Sequence, residues 1–396
     1  MQTQVVIIGA GPAGLTLSHM LHQHDIESIV LETRARDAVE ATIRAGVLEQ
    51  GTIDLLTEIG VGERMQREGL RHAGTVLRYD GRDHRIDFAG LTGGKTVMVY
   101  PQHEVLKDLV AARLSTGGDI RFNVSGVSVH DIDSGTPHVR YRDRDGNAQV
   151  IHADFIAGCD GSQGVCRPAV LASHPTFHEH VYPYAWLGIL CHAPPSSDEL
   201  IYAHGGNGFA LVSTRSPQVQ RMYLQCDPHD KTDNWSDDRI WGELRTRLRT
   251  HDGWAPKEGE IFSKTVVGMR SFVIDSMQSG RLYLAGDSAH IVPPTGAKGL
   301  NLAISDVSIL ARAFVQLYKD NTRTLLDGYS ATALARVWRA QRFSWWMTSL
   351  LHAAPGAGEF QKRLQYAELD YLARSRSART VLAENYVGLP MDFPVN

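Results

Sequence analysis

Residues 4–21 read QVVIIGAGPAGLTLSHML. The run Val5 to Ile8 is apolar and β-branched, which predicts a buried strand. Gly9, Gly11 and Gly14 follow at once with GxGxxG spacing, and Leu15, Leu17, Met20 and Leu21 then suit an amphipathic helix. Ser28 to Leu31 forms the next strand and delivers Glu32 close to the ~20-residue offset at which an acidic side chain grips a ribose hydroxyl. Strand, glycine turn, helix, strand and acid together predict a Rossmann-like unit. Its glycines let a pyrophosphate reach a helix N-terminus, whose amides and dipole favour negative charge. A cofactor containing ADP follows.

Two later stretches end in comparable turns. Asp154 to Gly161 (DFIAGCDG) is a second buried strand closing on Asp160-Gly161, with Arg167 six residues on. Residues 281–301, RLYLAGDSAHIVPPTGAKGLN, put the Asp287 carboxylate at a strand's C-terminal edge, where α/β sheets bind ligands. There Pro293 and Pro294 stiffen a loop, Gly296 and Gly299 permit close backbone approach, and the amides near Leu300 and Asn301 open a helix.

Between these landmarks the chain is β-rich. Short strands are predicted at 75–78, 85–88 and 96–100, and again at 186–190, 200–203, 208–213 and 221–225, with helices near 50–60, 104–114 and 237–248. Tyr202, Ser213, Arg215, Arg221 and Tyr223 form an unusual polar set. The period of two on a strand turns 213 and 215 to one side, and 221 and 223 likewise. These residues either surround an anion or form an ordinary exposed face. After Asn301 the pattern is helical, at about 302–319, 327–350, 358–373 and 378–384. The aromatic cluster Phe343 to Met347 reads as a buried helix face or a subunit contact. The expected fold class is α/β: a discontinuous, Rossmann-like cofactor domain (1–72, 101–174, 269–340), interleaved with a β-rich substrate domain (73–100, 175–268), and a helical C-terminal region (341–396) serving as a subunit interface.

At 396 residues, 43% apolar and 21% charged, the chain can bury a large core, and its net charge of −4 gives no reason to invoke nucleic acid or an anionic membrane. Cys159, Cys166, Cys191 and Cys226 show no CxxC spacing and read as reduced thiols, which favours the cytoplasm. No targeting segment is visible, and no run is expected to reach the length needed to span a bilayer.

The three glycine–acid turns, in this order, resemble those of the class A flavoprotein aromatic hydroxylases. The strings IRAGVLEQG, GGKTV, YPYAWLG, ELIYA, RSFV, AGDSAHIVPPTGAKGLNLA, RFSWWMTS and AENYVGLP extend the resemblance along the whole chain, most closely to the branch acting on 4-hydroxybenzoate. The resemblance implies a monooxygenase that forms 3,4-dihydroxybenzoate with FAD, NAD(P)H and O2 through a flavin hydroperoxide, needs no metal, and works as a homodimer. It further implies that Glu32 holds the adenosine ribose, Asp287 the ribityl chain, and Arg44 and Gln102 the flavin region, with Asp160 also at the cofactor. The Leu300 and Asn301 backbone would meet the flavin pyrimidine edge, and Arg221 would set flavin position. Ser213, Arg215 and Tyr223 correspond to a carboxylate clamp. Tyr202 would bond the substrate phenol, with Tyr386 behind it, His72 completing a proton route and the Pro294 carbonyl beside the substrate hydroxyl.

For NAD(P)H the resemblance points to Arg34, Arg44, Arg270 and the position of Gln163, where family members usually carry His. Thr33, Arg34, Arg36 and Ala38 depart from the NADPH-specific pattern; Arg34 and Arg36 either bind a 2′-phosphate or are solvated helix charges. A hydroxylase for another aromatic acid is the same-class alternative. A flavin halogenase would need a WxWxIP string and a disulfide reductase a Cys pair, and neither is present.

Overall fold

The computed structural model of the chain describes residues 1–42, 44 and 46–390. Ile43 and Ala45 of the IRAGVLEQG string, and the last six residues of the helical region, lie outside them.

The first strand, Gln2–Ile8, pairs in parallel with Ser28–Leu31 on one side and with Ala148–Gly158 on the other. Leu282–Leu284 then pairs in parallel with Ala148–Gly158. The register matters most here: Leu31 is level with Ile8, Ile8 with Gly158, and Gly158 with Leu284. Four carboxyl ends therefore finish in one line, and Glu32, Gly9, Asp160 and the Gly286-Asp287 turn emerge at one edge of an eight-stranded sheet. The strand read from Asp154 starts earlier, as one continuous strand Ala148–Gly158, whose first half also carries an antiparallel meander of Ser125–His130 and His138–Arg142. Val5, Val6, Ile7, Ile156 and Ala157 are fully buried, as an almost continuous apolar run demands of strands covered on both faces.

A second eight-stranded sheet contains Phe177–His192, Val219–Cys226, Gly208–Ser216, Ile201–Gly205, Gly74–Tyr79 and Arg82–Asp87 as neighbours. One face packs on the helix Asp237–Arg247 through Ile240, Trp241 and Leu244; the other carries Tyr202, Leu211 and Tyr223 against the C-terminal helices. Val97–Val99 joins neither large sheet but pairs with Val47–Leu48 and Leu70–His72.

The helix Gly299–Asp320 corrects one expectation, because it is long and apolar enough to cross a membrane. It is the core helix packed on Pro12–Gln23, and most of it lies inside the protein, so its apolarity serves the interior. The aromatic cluster on the helix Tyr329–Leu351 is split by helical periodicity: Phe343 and Met347 are buried, whereas Trp345 is 52% exposed.

Candidate active site

The line of strand ends opens into a cleft of about 680 Å³. Gly9, with φ +105°, sits where a Cβ would lie 2.3 Å from the Cys159 carbonyl oxygen, and a Cβ on Gly14 would lie 1.9 Å from that of Gly9. Those two glycines fit strand, turn and helix together. Gly11 differs: a Cβ there would meet nothing within 4 Å among the described residues, so its missing side chain leaves open space at the helix start. That is the shape a pyrophosphate needs.

We therefore expect the two glycines to separate in mutagenesis. Gly14→Ala should lower the melting temperature of the apoprotein by several degrees, because backbone cannot yield. Gly11→Ala, at φ −80°, should leave apoprotein stability within about 1 kcal/mol while affinity for the expected ADP-containing cofactor falls at least tenfold. Equal losses of stability in a thermal melt would refute this division.

Glu32 is buried at the cleft wall, where Oε2 accepts from the Ala10 N–H at 2.8 Å and Oε1 from the Arg34 N–H at 3.0 Å and its Nε–H at 3.1 Å. Arg34 thus lines the cleft and holds the acid, also reaching Thr42 Oγ1 at 3.1 Å. Arg36 instead makes an exposed 2.6 Å pair with Glu40 one turn on. Asp160 accepts from the Cys166 N–H at 3.0 Å, and its Oδ1 is buried with no hydrogen-bond partner among the described residues. Burial pushes this carboxyl above its usual range. Arg44 Nη1 lies 3.6 Å from Asp287 Oδ2, and Gln102, Gln163 and Leu300 line the same cleft. Arg270 stands on the ribbon of Phe177–His192 and Glu260–Ile274, 3.4 Å from Glu179.

Two supports for the Asp287 turn escaped the sequence reading. Arg167 donates from Nε to the Ser288 carbonyl at 2.8 Å and from Nη2 to that of Asp287. Asp306 accepts the Gly286 N–H at 2.8 Å and His290 Nε2–H at 2.6 Å, and both side chains are 1% exposed. Burial drives His290 down, but the Asp306 carboxylate overrides it and the net shift is upward from 6.5. A folded-state pKa above the unfolded one stabilises fully below pH 6.5 and fades as pH rises through the folded value. His290→Gln should therefore cost most stability below pH 6.5, with the two melting curves converging as pH rises; a gap that widens with pH would refute the pair.

In the proline loop that precedes the helix start at Gly299, Pro294–Gly296 form a single turn in which the Pro294 carbonyl accepts from the Ala297 N–H at 2.9 Å; Gly299 and Leu300, just beyond it, line the cleft. The helix Gly299–Asp320 starts without a side-chain cap, so the amides at Gly299, Leu300 and Asn301 are its orphan donors. The Asn301 side chain is occupied: it donates to the Val47 and Ala297 carbonyls at 2.9 Å each and accepts from the Glu49 N–H at 2.9 Å. Lys298, 3% exposed, donates to Glu49 at 2.6 Å and to the carbonyls of Asn385 and Tyr386. The proline loop is thereby tied to the C-terminal helix by a contact 87 residues apart in sequence, and to the residue before the helix Gln50–Glu58 by one 249 residues apart.

On the second sheet, Tyr202 is level with Leu211 and Leu211 with Tyr223, while Ser213 is level with Arg221. A register shift between Thr214 and Ser216 breaks the alternation at Arg215. Arg215 Nε and Nη1 and Arg221 Nε and Nη1 are buried with no hydrogen-bond partner among the described residues. Burial lowers Arg215 to about 10, with Tyr223 opposing and Arg221 adding to the shift, so it stays charged at neutral pH. A Cβ on Gly188 would lie 3.3 Å from the Tyr223 ring, so that glycine makes room for it. The Tyr202 and Tyr386 hydroxyls are 2.6 Å apart and both residues are buried. His72 is buried on Leu70–His72 with Nδ1 unpartnered, and no hydrogen bond joins it to Tyr386 among the described residues. Burial lowers the His72 pKa against Glu199 and Asp198.

Residues 2–344 match the family model described as FAD binding domain. The chain is 45% identical over 393 residues, 99% of its length and 97% of the relative's, to the p-hydroxybenzoate hydroxylase of Acinetobacter baylyi. It is 25% identical over 341 residues, 83% of its length and 61% of the relative's, to a probable NADH-specific resorcinol 4-hydroxylase of Rhodococcus jostii. Among solved structures, p-nitrophenol 4-monooxygenase of Pseudomonas putida superposes with a TM-score of 0.82 over 98% of this chain and 99% of that one, at 19% identity.

Proposed function

Because this chain belongs to the FAD binding domain family of flavin-dependent aromatic hydroxylases, we propose that it hydroxylates 4-hydroxybenzoate to 3,4-dihydroxybenzoate with NAD(P)H and O2. The observation carrying the substrate is Arg215, whose Nε and Nη1 are buried and find no protein acceptor among the described residues. A benzoate carboxylate is the planar acceptor that such a fork meets with paired hydrogen bonds. Ser213 and Tyr223 stand beside it as hydroxyl donors. Two residues of strand, ~7 Å, separate the Ser213 row from the Tyr202 row. That span suits a ring whose carboxylate and hydroxyl are para to each other.

FAD, when bound, supplies reduction by NAD(P)H and activation of O2. In this reading Gly9, Gly11 and Gly14 leave room for its pyrophosphate, Glu32 holds its ribose and Asp287 its ribityl chain. Asp160, Arg44, Gln102 and Arg221 border it, and the Leu300 and Asn301 amides face the edge where reduction places negative charge. Arg34, Arg44, Gln163 and Arg270 serve NAD(P)H. Arg215, Ser213 and Tyr223 orient the ring. Tyr202 accepts the phenolic hydrogen bond and hands the proton on to Tyr386, with the Pro294 carbonyl flanking the hydroxyl; His72, buried and not hydrogen bonded to Tyr386 among the described residues, is the further acceptor toward which that proton would move. Removing the proton makes the ring carbon ortho to the oxygen nucleophilic.

We assign 1–72, 101–174 and 269–340 to the FAD domain, 73–100 and 175–268 to the substrate domain, and 341–396 to a subunit interface. The enzyme so read is a cytoplasmic homodimer acting on a small aromatic acid, with no nucleic acid or membrane partner; the four cysteines are free and buried, in keeping with a reducing compartment. Incubation with a panel of benzoates tests the reading. One 3,4-dihydroxybenzoate per NAD(P)H and O2 consumed is expected from 4-hydroxybenzoate; little of it, beside faster turnover of another ring, would overturn the assignment.

A further inference from the structure

His352 stands just past the last turn of the helix Tyr329–Leu351, buried, with both of its ring nitrogens committed. Nδ1 lies 2.8 Å from the Thr348 carbonyl oxygen, and Nε2 lies 2.6 Å from Nε1 of Trp186. A carbonyl can only accept and an indole N–H can only donate, so the hydrogen sits on Nδ1 and the Nε2 lone pair faces Trp186. One tautomer satisfies both partners. Burial drives the His352 pKa down to about 3, with the Thr348 carbonyl opposing and His204 adding, so the ring stays neutral. The backbone beside it is pinned as well: the Ala353 N–H donates to Gln225 Oε1 at 3.0 Å, and Gln225 Nε2 donates to the Ala353 carbonyl at 2.6 Å.

This imidazole is the centre of an aromatic box that reaches both ends of the proposed substrate site. Between ring centroids it stacks on Tyr184 at 4.6 Å and on Phe209 at 4.4 Å. Trp186, whose N–H it accepts, stacks on Phe209 at 5.1 Å and leans on Tyr223 at 4.6 Å, and Phe209 lies 6.2 Å from Tyr202. Thr348 extends the same line to the proline loop. Its hydroxyl donates to the Ser344 carbonyl at 2.7 Å, which leaves Thr295 Oγ1, next to Pro294, to donate to it at 2.9 Å. One helix end thus bonds both the sheet that carries Arg215 and Tyr223 and the loop that carries the Pro294 carbonyl. We propose that His352 is a positioning residue for the hydroxylation: by accepting from Trp186 it fixes the indole against Tyr223, and so sets the carboxylate clamp relative to the phenol end of the ring. The inference rests on the 4-hydroxybenzoate reading and adds to it a residue that acts through Trp186. Ring placement is what the chemistry is sensitive to, since a displacement of ~1 Å can cost about a hundredfold in rate.

Substitution at 352 separates the two ring nitrogens. Gln places an acceptor near the position of Nε2 and keeps the bond from Trp186; Asn places its amide near the position of Nδ1, keeps the bond to Thr348 and leaves the indole N–H unpaired. In the full-length, FAD-loaded enzyme, His352→Asn should raise the 4-hydroxybenzoate dissociation constant about tenfold and lower the product formed per NAD(P)H oxidised by about half, with FAD content unchanged. His352→Gln should stay within about threefold of wild type in affinity and keep its coupling. Trp186→Phe, which removes the donor, should match His352→Asn, and combining the two should add less than about twofold, because both break one contact. Wild-type affinity and coupling in His352→Asn overturn the positioning role. Equal losses in the Gln and Asn variants overturn it too, since a general packing defect does not distinguish an acceptor from its absence. If His352→Asn does not fold, unchanged affinity in Trp186→Phe overturns the role by itself. A wild-type enzyme that binds no 4-hydroxybenzoate overturns the substrate reading and this inference together.

Discussion

Arg215→Ala is expected to weaken 4-hydroxybenzoate binding by about 3–5 kcal/mol, a loss on the order of a hundredfold to several thousandfold. The magnitude follows from where the charge sits. Its Nε and Nη1 are out of solvent, so that edge of the guanidinium has already been dehydrated by folding, and a carboxylate that reaches it regains interactions without desolvating those two nitrogens again. Removing the side chain would leave the ligand carboxylate in the same dry site with only the Ser213 and Tyr223 hydroxyls. Arg215→Lys should recover part of the affinity, since the charge returns but the planar fork does not. Phenol, lacking the carboxylate, should lose little. Arg215→Met should raise the melting temperature of the apoprotein, because two buried, unpartnered N–H groups of a charged side chain are replaced by apolar volume. Titration of each ligand, followed by flavin absorbance, gives the affinities; unchanged 4-hydroxybenzoate affinity in Arg215→Ala would refute the clamp.

Tyr202→Phe is expected to lower the rate of hydroxylation by roughly 10²–10⁴, the range in which positioned proton transfer contributes, with benzoate affinity changed much less. Tyr202 and Tyr386 are hydrogen bonded at 2.6 Å, and burial pushes both phenols well above their usual pKa. Neither ionises near neutrality. They act as a neutral pair that accepts a hydrogen bond at one end and donates at the other. Tyr386→Phe should therefore reduce product formed per NAD(P)H oxidised, by a smaller factor than Tyr202→Phe, with FAD affinity intact. Rapid-quench measurement of product against flavin reoxidation distinguishes the outcomes. Normal rate and coupling in both variants would eliminate the tyrosine relay.

Much of the cofactor half was legible because its signals are local. GxGxxG, Glu32 and the two Asp turns each depend on a few consecutive residues, and parallel strands buried on both faces announce themselves as unbroken apolar runs. The substrate half was less so. Period-two alternation grouped Ser213 with Arg215 and Arg221 with Tyr223, but it could not distinguish an anion site from a wet sheet face, nor anticipate the register shift at Arg215. The Lys298–Glu49 contact and the Asp306–His290 support carried no such local signal, because their partners come from separate elements.

The sequence alone determined the Rossmann-like unit and its glycine roles, the chemical kinds of residue available to bind an anion, and the family to which the chain is similar. Those properties belong to residue types and near-neighbour spacing, which steric and hydrophobic preferences read directly. Only the tertiary structure decided that Leu31, Ile8, Gly158 and Leu284 finish level, that Nε and Nη1 of Arg215 are buried without a protein acceptor among the described residues, and that one face of the Glu359–Arg374 helix stays apolar in solvent. The reason is physical: strand register, desolvation and exposure are set by which distant surfaces meet, and a buried charge or a bare apolar stripe becomes visible only once they have.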